Sequence, residues 1–463
     1  MATKYWRLST GGTFSTASNW STSSGGAANT TTPASGDTLI FDQGSTYTIT
    51  FTAAPPSVTI VVNNGAVTFS TASYTLTFSS ITVNSGSLSI LLTSVGTLTI
   101  NGTGGIVNYG TLYISSLTTT TISNGSGSDV TNYGTLTFTG SGAYTITYGS
   151  LYQYGTFTYS STGSVFTIGH NFILQGSNSI SVNGGAGSIY LSGSGSYNIQ
   201  SSGTSINARL QLTASGTYTL LDSLNITTST NYSFLYTSGG SLNLNGYTLT
   251  AGSMNIGPSA SRTIIFNGGS IYLTAGMTSV LFNQAGAGSF RSSSSGTAGY
   301  IYFSSSSAKS FNSSASTSYL PNCILSNPGG AGTLTLNISG STIGGIIGNS
   351  TTVVINAGIT INVTNPGIIA DGNPIALNSS STTNATLSWV GSGNPSVTSS
   401  YTLYHVILFA SGTLYSTYCS GFNLYGTYSD GAGGTTNSLI EVNSLSCGYV
   451  YVASGSSNFF NFF

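Results

Sequence analysis

A strand–turn–strand signature recurs five times in this chain at intervals of 21 to 24 residues, and it restricts the fold more than any other feature. The segments read VNNGAVTF (62–69), VNSGSLSI (83–90), VNYGTLYI (107–114), TNYGTLTF (131–138) and YQYGTFTY (152–159). Their glycines are Gly65, Gly86, Gly110, Gly134 and Gly155, and an amide stands two positions before each: Asn63, Asn84, Asn108, Asn132 and Gln153. Asn and Gly tolerate positive φ and turn a chain sharply between strands. Apolar residues two and four positions after each glycine alternate with Thr, Ser and Tyr, so one side of the strand is buried. One such unit per period in the low twenties predicts a solenoid with one coil per repeat. The expected fold is all-β: a single-stranded parallel β-helix (β-solenoid) of the right-handed kind, with an N-terminal cap. Val67, Leu88, Leu112, Leu136 and Phe157 should then stack in one interior column. Asn63, Asn84, Asn108, Asn132 and Gln153 should form a structural ladder at one turn, each amide hydrogen-bonding along the axis.

The pattern loosens further on. Gly176, Gly195, Gly216, Gly240 and Gly269 extend it, with apolar pairs Tyr197/Ile199, Tyr218/Leu220, Leu242/Leu244 and Ile271/Leu273 after four of them. Asn178 fills the inward slot after Gly176 and breaks the rule. No proline occurs between Pro56 and Pro258, which suits uninterrupted strand ladders, since proline cannot donate to them. The expected organisation is a capping or attachment segment over 1–45, a parallel β-solenoid over 46–400, and a C-terminal β region with an apolar association tail over 401–463.

Charge excludes several partners. Only 3% of residues are charged, against about 25% in ordinary domains. A net charge of −1 and 39% hydrophobic content speak against disorder. The six Lys and Arg are scattered singly, so nucleic-acid binding lacks its electrostatic contribution and so does docking on anionic membranes. No apolar run reaches the ~18 residues of a spanning helix. The opening MATKYWRLSTGGTF has no apolar signal core, so no signal peptide is expected and release as part of a virus particle becomes an attractive route out of the cell.

Chemistry-bearing residues are sparse. The acids are Asp37, Asp42, Asp129, Asp222, Asp371, Asp430 and Glu441. Polysaccharide-cleaving solenoids need carboxylates converging on one face; Asp129 and Asp222 are far apart in sequence, and Asp430 and Glu441, eleven residues apart, are the closest late pair and could meet across a coil. Single aspartates more often cap turns. His170 and His405 have no acid beside them in sequence for a nucleophilic triad. Cys323, Cys419 and Cys447 form no CxxC and read as small buried side chains, with a Cys419–Cys447 disulfide as the alternative. The single NGSGSDV (124–130) is similar to one unit of a calcium-binding nonapeptide repeat, but that motif works by stacking. Outward Thr-x-Thr pairs (Thr48/Thr50, Thr97/Thr99, Thr135/Thr137, Thr156/Thr158) mix with Ser, Tyr and Asn and lack one constant column for ice binding. No catalytic residue, cofactor or metal is expected, and the chain reads as a non-enzyme.

The first 45 residues differ from the rest. They contain KYW (4–6), GGTF (11–14), NWS (19–21) and PASGDTLIFD (33–42). This opening, about 40 residues, resembles the start of β-helical proteins found among tailed-phage virion proteins, and more loosely autotransporter passenger repeats. The resemblance implies a surface or fibre protein and transfers no catalytic residue. The last stretch ends in Phe459, Phe460, Phe462 and Phe463, an association surface by composition or else a plug for the chain's own solenoid end. Together these readings predict a virion structural and adhesion protein, a tail fibre or capsid-surface fibre on the virion surface, touching host glycans through a neutral face. The rivals are a polysaccharide-cleaving tailspike and a cellular adhesin or extracellular filament subunit. The expected partners are copies of itself, as a trimer or alternatively a filament, and other virion proteins. No nucleic acid and no membrane insertion are expected.

Overall fold

In the computed structural model the described residues are 1–227, apart from 72, 93–95, 123–127, 162–164, 183–187 and 214, then strands and turns between further short gaps up to Tyr418, and the strand Ile440–Cys447. Among them the secondary structure is β-strand with a single 3-10 turn at Ala17–Asn19. The chain divides into two compact units, Met1–Met254 and Asn255–Phe463.

The first unit is a parallel β-solenoid whose coils present three strand faces. The first face runs through Thr3–Trp6, Thr38–Phe41, Val58–Val62, residues 80–83, residues 106–108, Val130–Asn132, Leu151–Gln153, Phe172–Leu174, Ser196–Gln200, Thr217–Leu220 and Gly240–Asn243, each paired in parallel with the next. That makes about 11 turns. The second face carries the regular strands Thr46–Phe51, Ala66–Thr71, Ser87–Leu92, Thr111–Ser116, Thr135–Gly140, Thr156–Ser161 and Ser177–Val182, paired without a bulge. The third face begins at Leu76 and continues through residues 98–100, Thr120–Ile122, Tyr144–Ile146, Val165–Ile168, Ser188–Leu191, Arg209–Leu212 and Phe234–Tyr236.

Alternation builds the core. On the second face Val67, Leu88, Leu112, Leu136 and Phe157 pair level by level and are at most 1% exposed, as the glycine spacing predicts. Phe69, Ile90, Ile114, Phe138 and Tyr159 form a second buried column beside them. Burying each such side chain is worth about 1.5–3 kcal/mol. Asn178 stays in register with Phe157, and its Nδ2 donates to Gly176 O (2.6 Å) and Thr204 Oγ1 (3.2 Å). The coil therefore keeps its path where the inward slot is polar.

The later glycines correct the expected repeat. The strand after Gly176 lies on the second face, but those after Gly195, Gly216 and Gly240 lie on the first. A glycine followed by alternating apolar residues marks a corner and the strand beyond it. It carries no information about which of three corners that is.

At the N-terminal end Thr3–Trp6 pairs in parallel with Thr38–Phe41 and antiparallel with Trp20–Ser21, so both its edges are occupied. This is how natural sheets avoid open-edge association. Trp6 and Trp20, both fully buried, meet edge to face at 5.1 Å, and Trp20 Nε1 donates to Phe14 O at 2.8 Å. Asp37 ties the loop down: its carboxylate accepts from Ala2 N (2.7 Å) and Ala34 N (2.9 Å).

The second unit repeats parallel stacking with longer, bulged strands. Ser270–Leu273 pairs with Gly299–Phe303, which pairs with Tyr319–Asn327, followed by Thr342–Gly348 and Thr360–Ala370. Val406–Tyr418 pairs in parallel with Ile440–Cys447. Cys323 is buried and in no disulfide, and burial pushes its thiol pKa up. Among the described residues no helix is long and apolar enough to cross a membrane.

Candidate binding surface

The corner between the first and second faces is where the repeated amides lie, and the structure divides them into two sets. Val62 pairs with Val83 and Val83 pairs with Asn108, which then aligns with Asn132 and Gln153. Asn63 and Asn84 therefore sit one residue further along, outside the coil, where Asn84 Nδ2 donates to Asn63 Oδ1 at 2.8 Å. Asn108, Asn132 and Gln153 are fully buried. Asn108 Nδ2 donates to Asn132 Oδ1 (2.5 Å) and Thr135 O (2.9 Å), and Asn132 Nδ2 to Gly134 O and Thr156 O (3.0 Å each). The expected single ladder is thus an outer pair and an inner file, and Gln153 bonds to neither: its Oε1 and Nε2 are buried without partners.

Turn length is the physical cause. Two residues separate Val83 from Gly86, and one separates Asn108 from Gly110. The shorter turn draws the amide inside and places tyrosine at the corner. Tyr109 N donates to Val83 O, as Asn84 N does to Val62 O one level earlier; Tyr133 N and Tyr154 N continue to Asn108 O and Asn132 O. The glycine requirement changes as well. Gly65 and Gly86 have φ of +81° and +74°, and a Cβ there would also collide with Gln43 O and Gly65 O; at Gly134 and Gly155 the positive φ is gone and only the collision remains, with the preceding turn's glycine oxygen.

The product is an exposed tyrosine ladder. Tyr109, Tyr133 and Tyr154 are 54%, 49% and 41% exposed, with centroids 4.9 and 5.0 Å apart and planes within 10°. Parallel rings this close are offset-stacked, so each covers its neighbour's face and presents its edge and hydroxyl to solvent. Exposed Asn84 precedes the stack and exposed Gln175 follows it. Tyrosine immediately before glycine in three successive repeats (109, 133, 154) was the readable signal for this ladder.

The adjoining second face is hydroxyl-rich. Thr48, Thr68, Ser89, Tyr113, Thr137 and Thr158 form one outward column with a hydroxyl at every level, mixing Thr with Ser and Tyr as the sequence does. Between Asp42 and Arg209 the single Asp, Glu, Lys or Arg is Asp129.

Asp129 and Asp222, like Asp37, cap backbone N–H groups. Asp129 Oδ1 accepts from Ser150 N (2.7 Å), and Asp222 accepts from Ser201 N (2.8 Å), Ser201 Oγ (3.2 Å) and Ser202 N. Asp42 Oδ1 accepts from Gln43 Nε2 at 3.1 Å. Asp129 and Asp222 are four levels apart on the ladder of the first face. His170 stacks on Tyr197 at 4.6 Å. Among the described residues no three His, Cys, Asp or Glu gather as a metal site would require. Residues 124–127 of NGSGSDV, Asp371, His405, Cys419, Asp430 and the association residues Phe459, Phe460, Phe462 and Phe463 lie outside the described residues. No family model, curated protein or solved structure matches the chain.

Proposed function

We propose that this chain is a non-enzymatic structural and adhesion protein of a virus particle, a tail fibre or capsid-surface fibre, whose lateral face contacts neutral glycans. The observation that carries the glycan reading is the uncharged strip formed by the Tyr109–Tyr133–Tyr154 ladder and the hydroxyl column beside it. Its donors and acceptors recur once per coil, about 4.8 Å apart, which suits a ligand that is itself a chain of hydroxyl-bearing units. Because the ring faces cover one another, contact runs through ring edges, phenol hydroxyls and the flanking amides rather than by stacking of sugars on aromatic faces. The non-enzymatic reading is supported by the aspartates: Asp37, Asp129 and Asp222 are each engaged with backbone N–H groups. The virion location rests on the resemblance carried by residues 4–42.

Binding of neutral and acidic polysaccharides to the full chain, measured with and without added salt, tests the glycan reading. Neutral chains should bind with little salt dependence, since almost no charge is present to be screened, and Tyr133→Ser should weaken that binding at least about tenfold. Equal binding by the variant removes the ladder from the site. Labelling the protein in purified native particles tests its location, and a free cellular filament without capsid would refute the virion reading.

A further inference from the structure

Three prolines precede Pro258 in this chain, Pro33, Pro55 and Pro56, and all three line a single cleft of about 80 Å³ on the first levels of the first unit. They come from two separate loops and converge on Phe14 and Ala54, with Thr52 at the edge. The cleft is firmly built. Phe14 stacks on Phe51 at 4.8 Å, meets Trp20 edge to face at 5.5 Å, and donates its N–H to Thr50 O at 3.0 Å. Pro33 and Pro55 are buried, while Ala54 is exposed at the rim. No charged side chain lines it. Proline rings offer apolar surface and no N–H donor, so the three prolines with Phe14, Ala53 and Ala54 favour an apolar ring; the remaining lining is the hydroxyl residues Thr32, Ser15 and Thr52, the last two hydrogen-bonded to each other at 3.3 Å. An engineered cavity of ~150 Å³ takes up benzene whole; an open cleft half that size seats part of one aromatic ring.

We propose that this cleft is the docking site for the segment 458–463 of a second copy of the chain. That segment reads NFFNFF and supplies four phenylalanines in five residues, an apolar cluster that needs cover. It is the densest aromatic cluster in the sequence, and Phe14 with the three prolines gives a phenyl ring an apolar seat. Cleft and segment are different surfaces, so the contact is heterologous: it closes into a ring if the rotation between copies permits, and otherwise grows as a filament. The inference is independent of the glycan reading, because it uses neither the tyrosine ladder nor the hydroxyl column.

Two variants of the full chain test it by sedimentation across a concentration range. Ala54→Glu places a charge at the exposed rim and leaves the segment intact; removal of 458–463 leaves the cleft intact. Each alone should weaken self-association at least about tenfold, with an unchanged circular dichroism spectrum and melting profile. Mixed together they should form pairs that grow no further, since one supplies the segment and the other the cleft. The proposal is overturned if the full chain is monomeric at every concentration, if the truncated chain assembles like the full one, or if the mixture forms no pairs. Should Ala54→Glu fail to fold, Thr52→Lys at the same rim replaces it in the same mixture, with the same outcomes.

Discussion

Replacing Gln153 by leucine should stabilise the protein, although it deletes a member of the repeated amide series. Gln153 is fully buried and neither its Oε1 nor its Nε2 has a partner. The amide before it in the file, Asn132, already gives both Nδ2 protons to Gly134 O and Thr156 O, and the residue after it is Leu174. A buried polar group left unpaired costs about 1–3 kcal/mol. Leucine removes that cost and continues the side chain type of the next level, so a gain of about 1–3 kcal/mol is expected, reduced by any imperfect fit. Asn108→Leu, two levels earlier, should do the opposite. It takes a donor from Asn132 Oδ1 and from Thr135 O, two losses against the one unpaired atom it removes, Asn108 Oδ1, and should cost about 1–3 kcal/mol by the same principle. Because solenoids unfold by neighbouring repeats rather than always as one body, urea unfolding should be paired with hydrogen exchange at Tyr133 N and Tyr154 N. Those two amides bond to the backbone at Asn108 and Asn132 and report locally on these levels. If Gln153→Leu destabilises as much as Asn108→Leu, the inner amide file includes Gln153 and the reasoning fails.

Gly134→Ala should cost at least about 2 kcal/mol, in the range of changes that force backbone apart, because its Cβ would collide with Gly110 O and the turn cannot move without its neighbours; chemical denaturation beside the wild-type chain checks it, and a cost under about 0.5 kcal/mol would refute the close-packed turn. Asp37 supplies an acid-side prediction. Burial pushes its carboxyl up, but the N–H groups of Ala34 and Ala2, with Lys4 and the amino terminus, bring the net pKa below 3.8. Its stabilisation is therefore present above that value and lost as pH falls through the lower folded one, and Asp37→Asn should flatten stability below about pH 4. On the alkaline side, burial and then Tyr272 hold Tyr302 up to about 12, and burial raises Tyr47, Tyr144 and Tyr218 also. Groups with raised folded pKa stabilise below their unfolded value of 10.0 and lose that contribution as pH rises further. Unfolding monitored by circular dichroism should begin above pH 10, with Tyr302→Phe less sensitive between 10 and 12.

The solenoid and its inner wall were legible from residues alone. Alternation after Gly65, Gly86, Gly110, Gly134 and Gly155 places Val67, Leu88, Leu112, Leu136 and Phe157 in one buried column, because a period of two can satisfy only one face of a strand. Local order in the sequence is enough for that, since each strand carries its own pattern. Corners are different, because a turn's meaning depends on the level stacked beneath it. One residue fewer between Asn108 and Gly110 than between Val83 and Gly86 moves the amide from solvent to core and aligns Tyr109, Tyr133 and Tyr154 outside. The glycines at 195, 216 and 240 look like a continuation of the earlier series, yet their strands occupy another face, since three corners of one coil make the same local demand. The cleft of Pro33, Pro55 and Pro56 depends on two loops meeting beside Phe14, a contact no spacing encodes. Periodicity within a strand thus determined the coil and its core, while inter-coil register, set by hydrogen bonds between residues some twenty apart in sequence, decided which side chains became surface.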